Sequence, residues 1–375
     1  METEQKRQSA ATGLGYFNLA RGLGMILVVL GHTMNLYLSP SYNPSTGFFA
    51  GLGSVMGGGL MAAFFMISGF GFYKRSPGKC FTIQRKLLLF PYAVVAAAVI
   101  ASKILLAVIR RRSFMENGGE LILTYLLGLN AEGGRKLWGI PVDSVGIFWF
   151  VLALFGGWII YNSIKQLSSE RMQLILTAGC VILGYVLTLI SRVWPYCLPM
   201  VFLAVGYLRA GEEIKKRNLL ERKLSRKWYA CILVCILISG SFGQVNIVAC
   251  IWRLGLVDVF STFAAGFLLL RLYALFMKRE HSGKLVGMLE EIGFHSIWIV
   301  CLHAYEKVIF PWYRLTGALS SHPVLGVIIC FFCRCAVMYI LFLFISFFQR
   351  KMKRRKPGKI IVDQISTDQG RGTEK

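Results

Sequence analysis

Apolar residues run along this chain in long unbroken stretches rather than in period-2 alternation. Such stretches fall roughly over 17–38, 56–73, 86–109, 145–164, 172–191, 196–210, 229–243, 256–277, 294–310 and 323–348. Most of them approach the ~20 apolar residues that a helix needs to cross a bilayer. The pattern predicts an all-α, polytopic integral membrane helix bundle with about ten transmembrane helices. The sixth and seventh stretches are the shortest. Residues 1–16 then form a cytoplasmic N-terminal segment, 17–348 the membrane domain, and 349–375 a basic, disordered cytoplasmic tail.

Loop charge orients the bundle. With the N-terminus inside, the inner loops carry Lys74, Arg75, Lys79, Arg85 and Lys86, then Lys165 and Arg171. A cluster from Arg209 to Lys227 follows, then Lys278, Arg279 and Lys284. Three outer loops hold only Arg192, Arg253 and Arg314 singly, and 39–55 has no basic residue. This alternation places both termini in the cytoplasm. The exception is the long outer loop 110–144, with Arg110, Arg111, Arg112, Arg135 and Lys136 beside Glu116, Glu120, Glu132 and Asp143. Its LILTYLLGL segment is expected to be re-entrant or interfacial. The first stretch is too long for a signal-peptide core and is not followed by a small-residue cleavage site, so it is read as an uncleaved span.

Composition agrees with a lipid setting. Hydrophobic residues make up 55% of the 375 and charged residues 16%, with a mean hydropathy of +0.59. One soluble core cannot hold that apolar share. The net charge of +24 raises nucleic acid as a partner, but the basic residues sit in short clusters between apolar runs, without a nucleic-acid-binding motif. The ten cysteines lie mostly inside apolar runs, where cysteine acts as a small hydrophobe. Cys330, Cys333 and Cys335 have C-x-x-C-x-C spacing, yet ICFFCRCAVMYI offers no fourth ligand and no polar surround, so a metal is not expected.

Ionisable residues inside spans are costly and are functional candidates. They are Arg21, His32, Asp258, Arg271, His303, Glu306 and Arg334. Arg21 and His32 are three helical turns apart on one face, ~16 Å along the axis. Spacing alone leaves two readings open: a functional pair, or a snorkelling arginine with a satisfied core histidine. Ser68 lacks a nucleophile-elbow context and is read as a packing or hydrogen-bonding residue. The glycines over 51–59 are expected to admit close helix approach.

Five segments resemble, in order, the acyltransferase-3 family of membrane acyltransferases. NLARGLGMILVVLGH (18–32) is similar to its first helix, with the Arg-x10-His hallmark at Arg21 and His32. FFMISGF (64–70), QRKLLLFPY (84–92), FWFVLALFGGWIIYN (148–162) and SIWIVCLHAYEKVIFPW (296–312) resemble later motifs. Asn18 stands where the family often has Asp, and Leu87 where an arginine is common.

The resemblance implies transfer of an acyl group, chiefly acetyl, from acyl-CoA (acetyl-CoA as the usual co-substrate) without a metal. The implied acceptor is a hydroxyl or amine of a glycan, lipid-linked sugar or small metabolite, and the implied setting is the plasma membrane. Arg21, Lys74, Arg75, Arg85, Lys86 and Arg271 suit the CoA phosphates. A histidine suits the general base, best when an acid orients it. Either His32 or His303 fits, with Glu306 as the acid or as a partner of Arg334; His32 is preferred because it completes Arg-x10-His. The alternative is a small-metabolite transporter or exporter with the buried charges as its pathway, but the two halves show no internal symmetry. A structural or sensory subunit fits the intramembrane charges less well.

Overall fold

The computed structural model describes residues 14–37, 48–109, 121–129, 135–137, 140–142, 144–191, 193–243, 245–247, 249–278 and 282–354. The charges expected at Arg110–Arg112, Glu116, Glu120, Glu132, Asp143, Arg192 and Arg279, the start of the N-terminal segment and the tail beyond residue 354 lie outside these.

Helices dominate. They are α1 (Asn18–Tyr37), α2 (Phe48–Phe70), α3 (Pro77–Gln84), α4 (Phe90–Ile109), α5 (Trp149–Ile164), α6 (Glu170–Ile190), α7 (Leu198–Lys216), α8 (Arg226–Phe242), α9 (Leu256–Phe276), α10 (Lys284–Phe294), α11 (Ser296–Ile309), α12 (Trp312–Ala318) and α13 (Pro323–Arg354). Two short antiparallel hairpins, absent from the all-α expectation, pair β1 (Arg135–Leu137) with β2 (Ile140–Val142) and β3 (Val245–Asn246) with β4 (Ile251–Trp252).

Among the described residues, seven helices are long and apolar enough to cross a membrane, or eight if the bent α10–α11 pair is one span. The expected count of about ten differs at two helices. α7 ends in Arg209, Glu212, Glu213, Lys215 and Lys216, too much charge for an apolar span. α8 has 17 residues, the lower limit for a crossing. Both still pack within the bundle, α7 on α2, α5 and α6, and α8 on α2 and α9.

Local chemistry explains several boundaries. Pro77 starts α3, where its missing N–H costs nothing, so Lys79, Arg85 and Lys86 lie on helix rather than in the expected loop. Pro91 cannot donate to the turn before it. The chain answers with a π-helical turn at Arg85–Leu89, and α3 and α4 run on as one apolar helix over Pro77–Ile109. The Ser169 side chain caps α6 by accepting from the Met172 N–H at 3.3 Å, satisfying one orphan donor. α13 continues to Arg354, past the expected end at 348.

The LILTYLLGL segment is helical over 121–126 and docks on the bundle. Tyr92 Oη donates to the Tyr125 carbonyl at 2.5 Å, and the Tyr196 N–H to the Leu127 carbonyl at 2.7 Å.

α5 is mostly buried, whereas the continuous Pro77–Ile109 helix and α13 are mostly exposed. The core therefore centres on α2, α5, α7 and α9, while α4 and α13 flank it with lipid-facing sides. α1 packs on a second layer of α10, α11 and α13 and meets the core where Gly24 lies against Phe64 of α2. The α1–α10 contact is backbone to backbone. A Cβ on Gly22 would lie 1.9 Å from the Leu289 carbonyl oxygen, and one on Gly293 1.7 Å from that of Asn18. The chain then bends by 80° between α10 and α11, so α11 rises from the Asn18 end of α1 toward His32.

Candidate active site

The bend brings α11 beside the far half of α1, and α13 completes the site. Hydroxyl contact between Ser102 and Tyr305 at 2.8 Å ties α11 to α4. The His32 and His303 rings then face each other with centroids 5.3 Å apart. His303 is fully buried, as is Glu306, whereas His32 is partly exposed.

Glu306 organises the cluster. Its Oε1 lies 2.7 Å from His303 Nδ1. A carboxylate only accepts, so Nδ1 carries the proton and the neutral ring presents a lone pair at Nε2. His303 Nε2 is buried and has no hydrogen-bond partner. The same Oε1 accepts from Arg334 Nε at 3.0 Å and Nη2 at 2.7 Å. Oε2 accepts from Trp312 Nε1 at 2.5 Å. Arg334 Nη1 donates to Thr33 Oγ1 at 3.0 Å, and Thr33 donates on to the Val29 carbonyl at 2.7 Å. The Arg334 guanidinium carbon also lies 5.8 Å from the centre of the Trp312 ring.

The two roles open for Glu306 are thus filled together: it pairs with Arg334 and orients His303. Thr33 and Trp312 also belong to the site: Thr33 is the neighbour of His32 on α1, and Trp312 closes the 296–312 motif, though neither carries a charge that would mark it in the sequence.

Arg21 sits three turns below His32 on the same continuous α1. Its Nη2 donates to Asn18 Oδ1 at 2.5 Å, so Asn18 positions the guanidinium without adding a charge. The other expected cations divide. Lys74, Arg85 and Lys86 are exposed. Arg75 is half-buried, with its guanidinium carbon 3.7 Å above the Tyr73 ring. Arg271 donates from Nη1 to the Leu219 carbonyl at 2.8 Å, also to that of Leu220, and from Nη2 to Tyr229 Oη at 2.8 Å. Its Nη1 thus anchors the 217–225 loop and its Nη2 the start of α8, while its Nε is buried without a partner. Asp258 is likewise taken up: it accepts from Ser239 Oγ at 2.5 Å and from the Leu254 N–H at 2.8 Å at the positive end of α9.

Ser68 accepts from Trp158 Nε1 at 2.7 Å, a hydrogen-bonding role as expected. Of the glycines at 51–59, Gly58 and Gly59 meet residues of the β3 hairpin and α9 closely. Cys330 is buried, Cys333 exposed and Cys335 between, so the C-x-x-C-x-C thiols differ in surroundings. A lateral cavity of about 280 Å³ between α1, α2 and α9 is lined almost wholly by apolar side chains, among them Leu27, Phe64 and Leu272, and neither histidine reaches it.

No curated protein matches the chain, and no solved structure does. The family model of the acyltransferase-3 acyltransferase domain matches residues 14–358. That range holds α1 through α13 and every residue of the cluster, so the chain belongs to the acyltransferase-3 family and is a multi-pass membrane acyltransferase.

Proposed function

We propose that the protein moves an acyl group, acetyl in the first instance, from cytoplasmic acyl-CoA to a hydroxyl or amine of a glycan, lipid-linked sugar or small metabolite. In this reading the plasma membrane is crossed about ten times, with α7 and α8 as short crossings, and both termini are cytoplasmic. The observation that carries the mechanism is the facing pair His32–His303 with Glu306 behind it. His32 is the more accessible ring, so the acceptor meets it first and it serves as the general base. His303 Nε2 is the lone pair available to hold the other N–H of His32. The 5.3 Å ring separation lets facing nitrogens come within hydrogen-bond reach, a bond that tightens with substrate bound.

The acceptor oxygen or nitrogen attacks the thioester carbonyl as His32 takes its proton. The C–S bond then breaks, and the leaving CoA sulfur recovers a proton from the His32 imidazolium. Glu306, balanced by Arg334, stabilises the positive charge passing through the histidine pair. Arg21 binds the donor end of the site as a charge-assisted contact.

The test is turnover and acyl-CoA binding of purified variants. His32→Gln should lose ~10²–10⁴ in rate while still binding acyl-CoA. His303→Gln should be less impaired and also bind. Wild-type turnover in His32→Gln beside a dead His303→Gln would move the base to α11. Labelled enzyme formed from acyl-CoA without acceptor would replace direct transfer by a covalent acyl-imidazole.

A further inference from the structure

A second polar site lies at the other end of the bundle, where the loops carry most of the basic charge. Its placement follows from the α2–α7 contact. A Cβ on Gly69 would lie 2.1 Å from the Leu208 carbonyl oxygen, and one on Gly211 2.0 Å from that of Met66. The two backbones therefore touch, and Arg209 is drawn in beside the exit of α2.

Arg209 is poorly satisfied there. Its side chain is 11% exposed, and its Nη2 pairs with Glu213 Oε1 at 2.8 Å. Its Nε and Nη1 are buried and have no hydrogen-bond partner. Glu213 cannot serve them fully, because its Oε2 already accepts from Arg217 Nε at 2.8 Å. Glu212, one turn from Arg209, is divided between Lys165 and Lys216, each at 3.1 Å, and accepts from Tyr161 Oη. Lys216 also reaches the exposed Glu170 at 3.7 Å.

Arg75 faces the same region with a buried Nε that also has no partner. Its main chain is pinned: Asn162 Oδ1 accepts from its N–H at 3.0 Å, Asn162 Nδ2 donates to its carbonyl at 3.0 Å, and Gln166 Nε2 does so at 2.9 Å. The two arginines flank one aromatic contact, Phe72 on Tyr161 with centroids 4.7 Å apart. Arg75 reaches it from the Trp158 side, and the Arg209 guanidinium lies beside the Tyr161 hydroxyl, which itself donates to Glu212.

Two guanidinium groups that each keep a buried N–H without a protein acceptor match the oxygens of a phosphate, which would accept from both once their edges are uncovered. The Arg75 guanidinium carbon sits 3.7 Å over the ring of Tyr73, which is exposed at this end of the bundle. We propose that Arg209, together with Arg75, binds the phosphates at the nucleotide end of the acyl donor. This rests on acyl-CoA being the donor. It adds a residue on α7 that charge alone would credit only to topology.

The experiment uses the full chain in detergent and measures binding of CoA, dephospho-CoA and adenosine 3′,5′-bisphosphate, with inorganic pyrophosphate as a donor-independent probe. Arg209→Ala should weaken CoA and the bisphosphate about 10- to 100-fold, the worth of one or two charge-assisted hydrogen bonds. Arg209→Lys keeps the charge beside Glu213 but lacks the fork. It should unfold at the wild-type temperature and still bind CoA more weakly, which separates binding from folding. Arg217→Ala, which removes an exposed cation from the same Glu213, should change affinity less than about threefold.

Unchanged CoA affinity in both Arg209 variants overturns the inference and leaves the donor reading standing. Loss of pyrophosphate binding in the variants, with no CoA binding even in the wild type, would keep the phosphate site and remove the donor reading. Wild-type protein that binds none of the four probes overturns both.

Discussion

Glu306→Gln removes the charge on which the membrane-embedded cluster turns. In the wild type the carboxylate accepts from Arg334 at 3.0 and 2.7 Å, from His303 at 2.7 Å and from Trp312 at 2.5 Å. Arg334 is 1% exposed and Glu306 0%, so water cannot replace a lost partner. Breaking a buried ion pair by neutralising one member costs about 3–5 kcal/mol, because the other charge is left uncompensated. Removing both members costs far less. Glu306→Gln and Arg334→Met should therefore each destabilise the protein by about that amount, while the double variant recovers about 3 kcal/mol or more of their sum. The assay is denaturant unfolding in mild micelles, read by tryptophan fluorescence, for the full double-mutant cycle. Folded Glu306→Gln should also lose turnover, by no more than His303→Gln does, since it acts on the base through His303. Single costs below about 1 kcal/mol that simply add would refute the argument, because they would mean that the pair is hydrated or unformed.

Other outcomes follow from the same geometry. Arg21→Ala should weaken acyl-CoA binding without unfolding the protein, and Arg21→Lys should restore it only in part; unchanged binding would move the donor site to other cations, Arg85 and Lys86 first. Turnover should rise with pH through the histidine range and then level off, because a protonated His32 cannot accept the acceptor's proton; a rate that falls across that range would count against a histidine base. Gly22→Val should lower the yield of folded protein, as its Cβ has only 1.9 Å to the Leu289 carbonyl oxygen; a normal yield would mean that α10 can move away from α1. Reporter fusions after Lys227 and Lys356 should read cytoplasmic and one within 39–51 external, and an external tail would make the crossing number odd.

Much of this protein was determined by its sequence alone. A span in lipid must satisfy its own backbone within one helix, so length and hydropathy disclose it without knowledge of any neighbour. The same locality made Arg21 and His32 legible, because eleven residues on one helix fix a shared face. The motif around His303 and Glu306 was equally visible, and their hydrogen bond is a contact across a single turn. Boundaries set by local chemistry were harder to read: the π turn before Pro91 and the 80° bend at the start of α11 break runs that look uniform in hydropathy.

Only the tertiary structure decided which histidine the carboxylate orients. Glu306 reaches His303 rather than His32, and its counter-ion comes from α13. The second anchor of that arginine, Thr33, is 301 residues away in the chain. Likewise Arg271 and Asp258 look as functional as Arg21 in the sequence, yet they hold the 217–225 loop and the start of α9. Arg209 sits among topology-setting charges, yet two of its N–H groups are buried without an acceptor. The physical reason is common to all of these. Hydropathy records whether a side chain lies in lipid or water, whereas the partner of a buried charge depends on how closely two helices approach. Here that approach is set by backbone contacts at Gly22, Gly69, Gly211 and Gly293, between segments far apart in the chain.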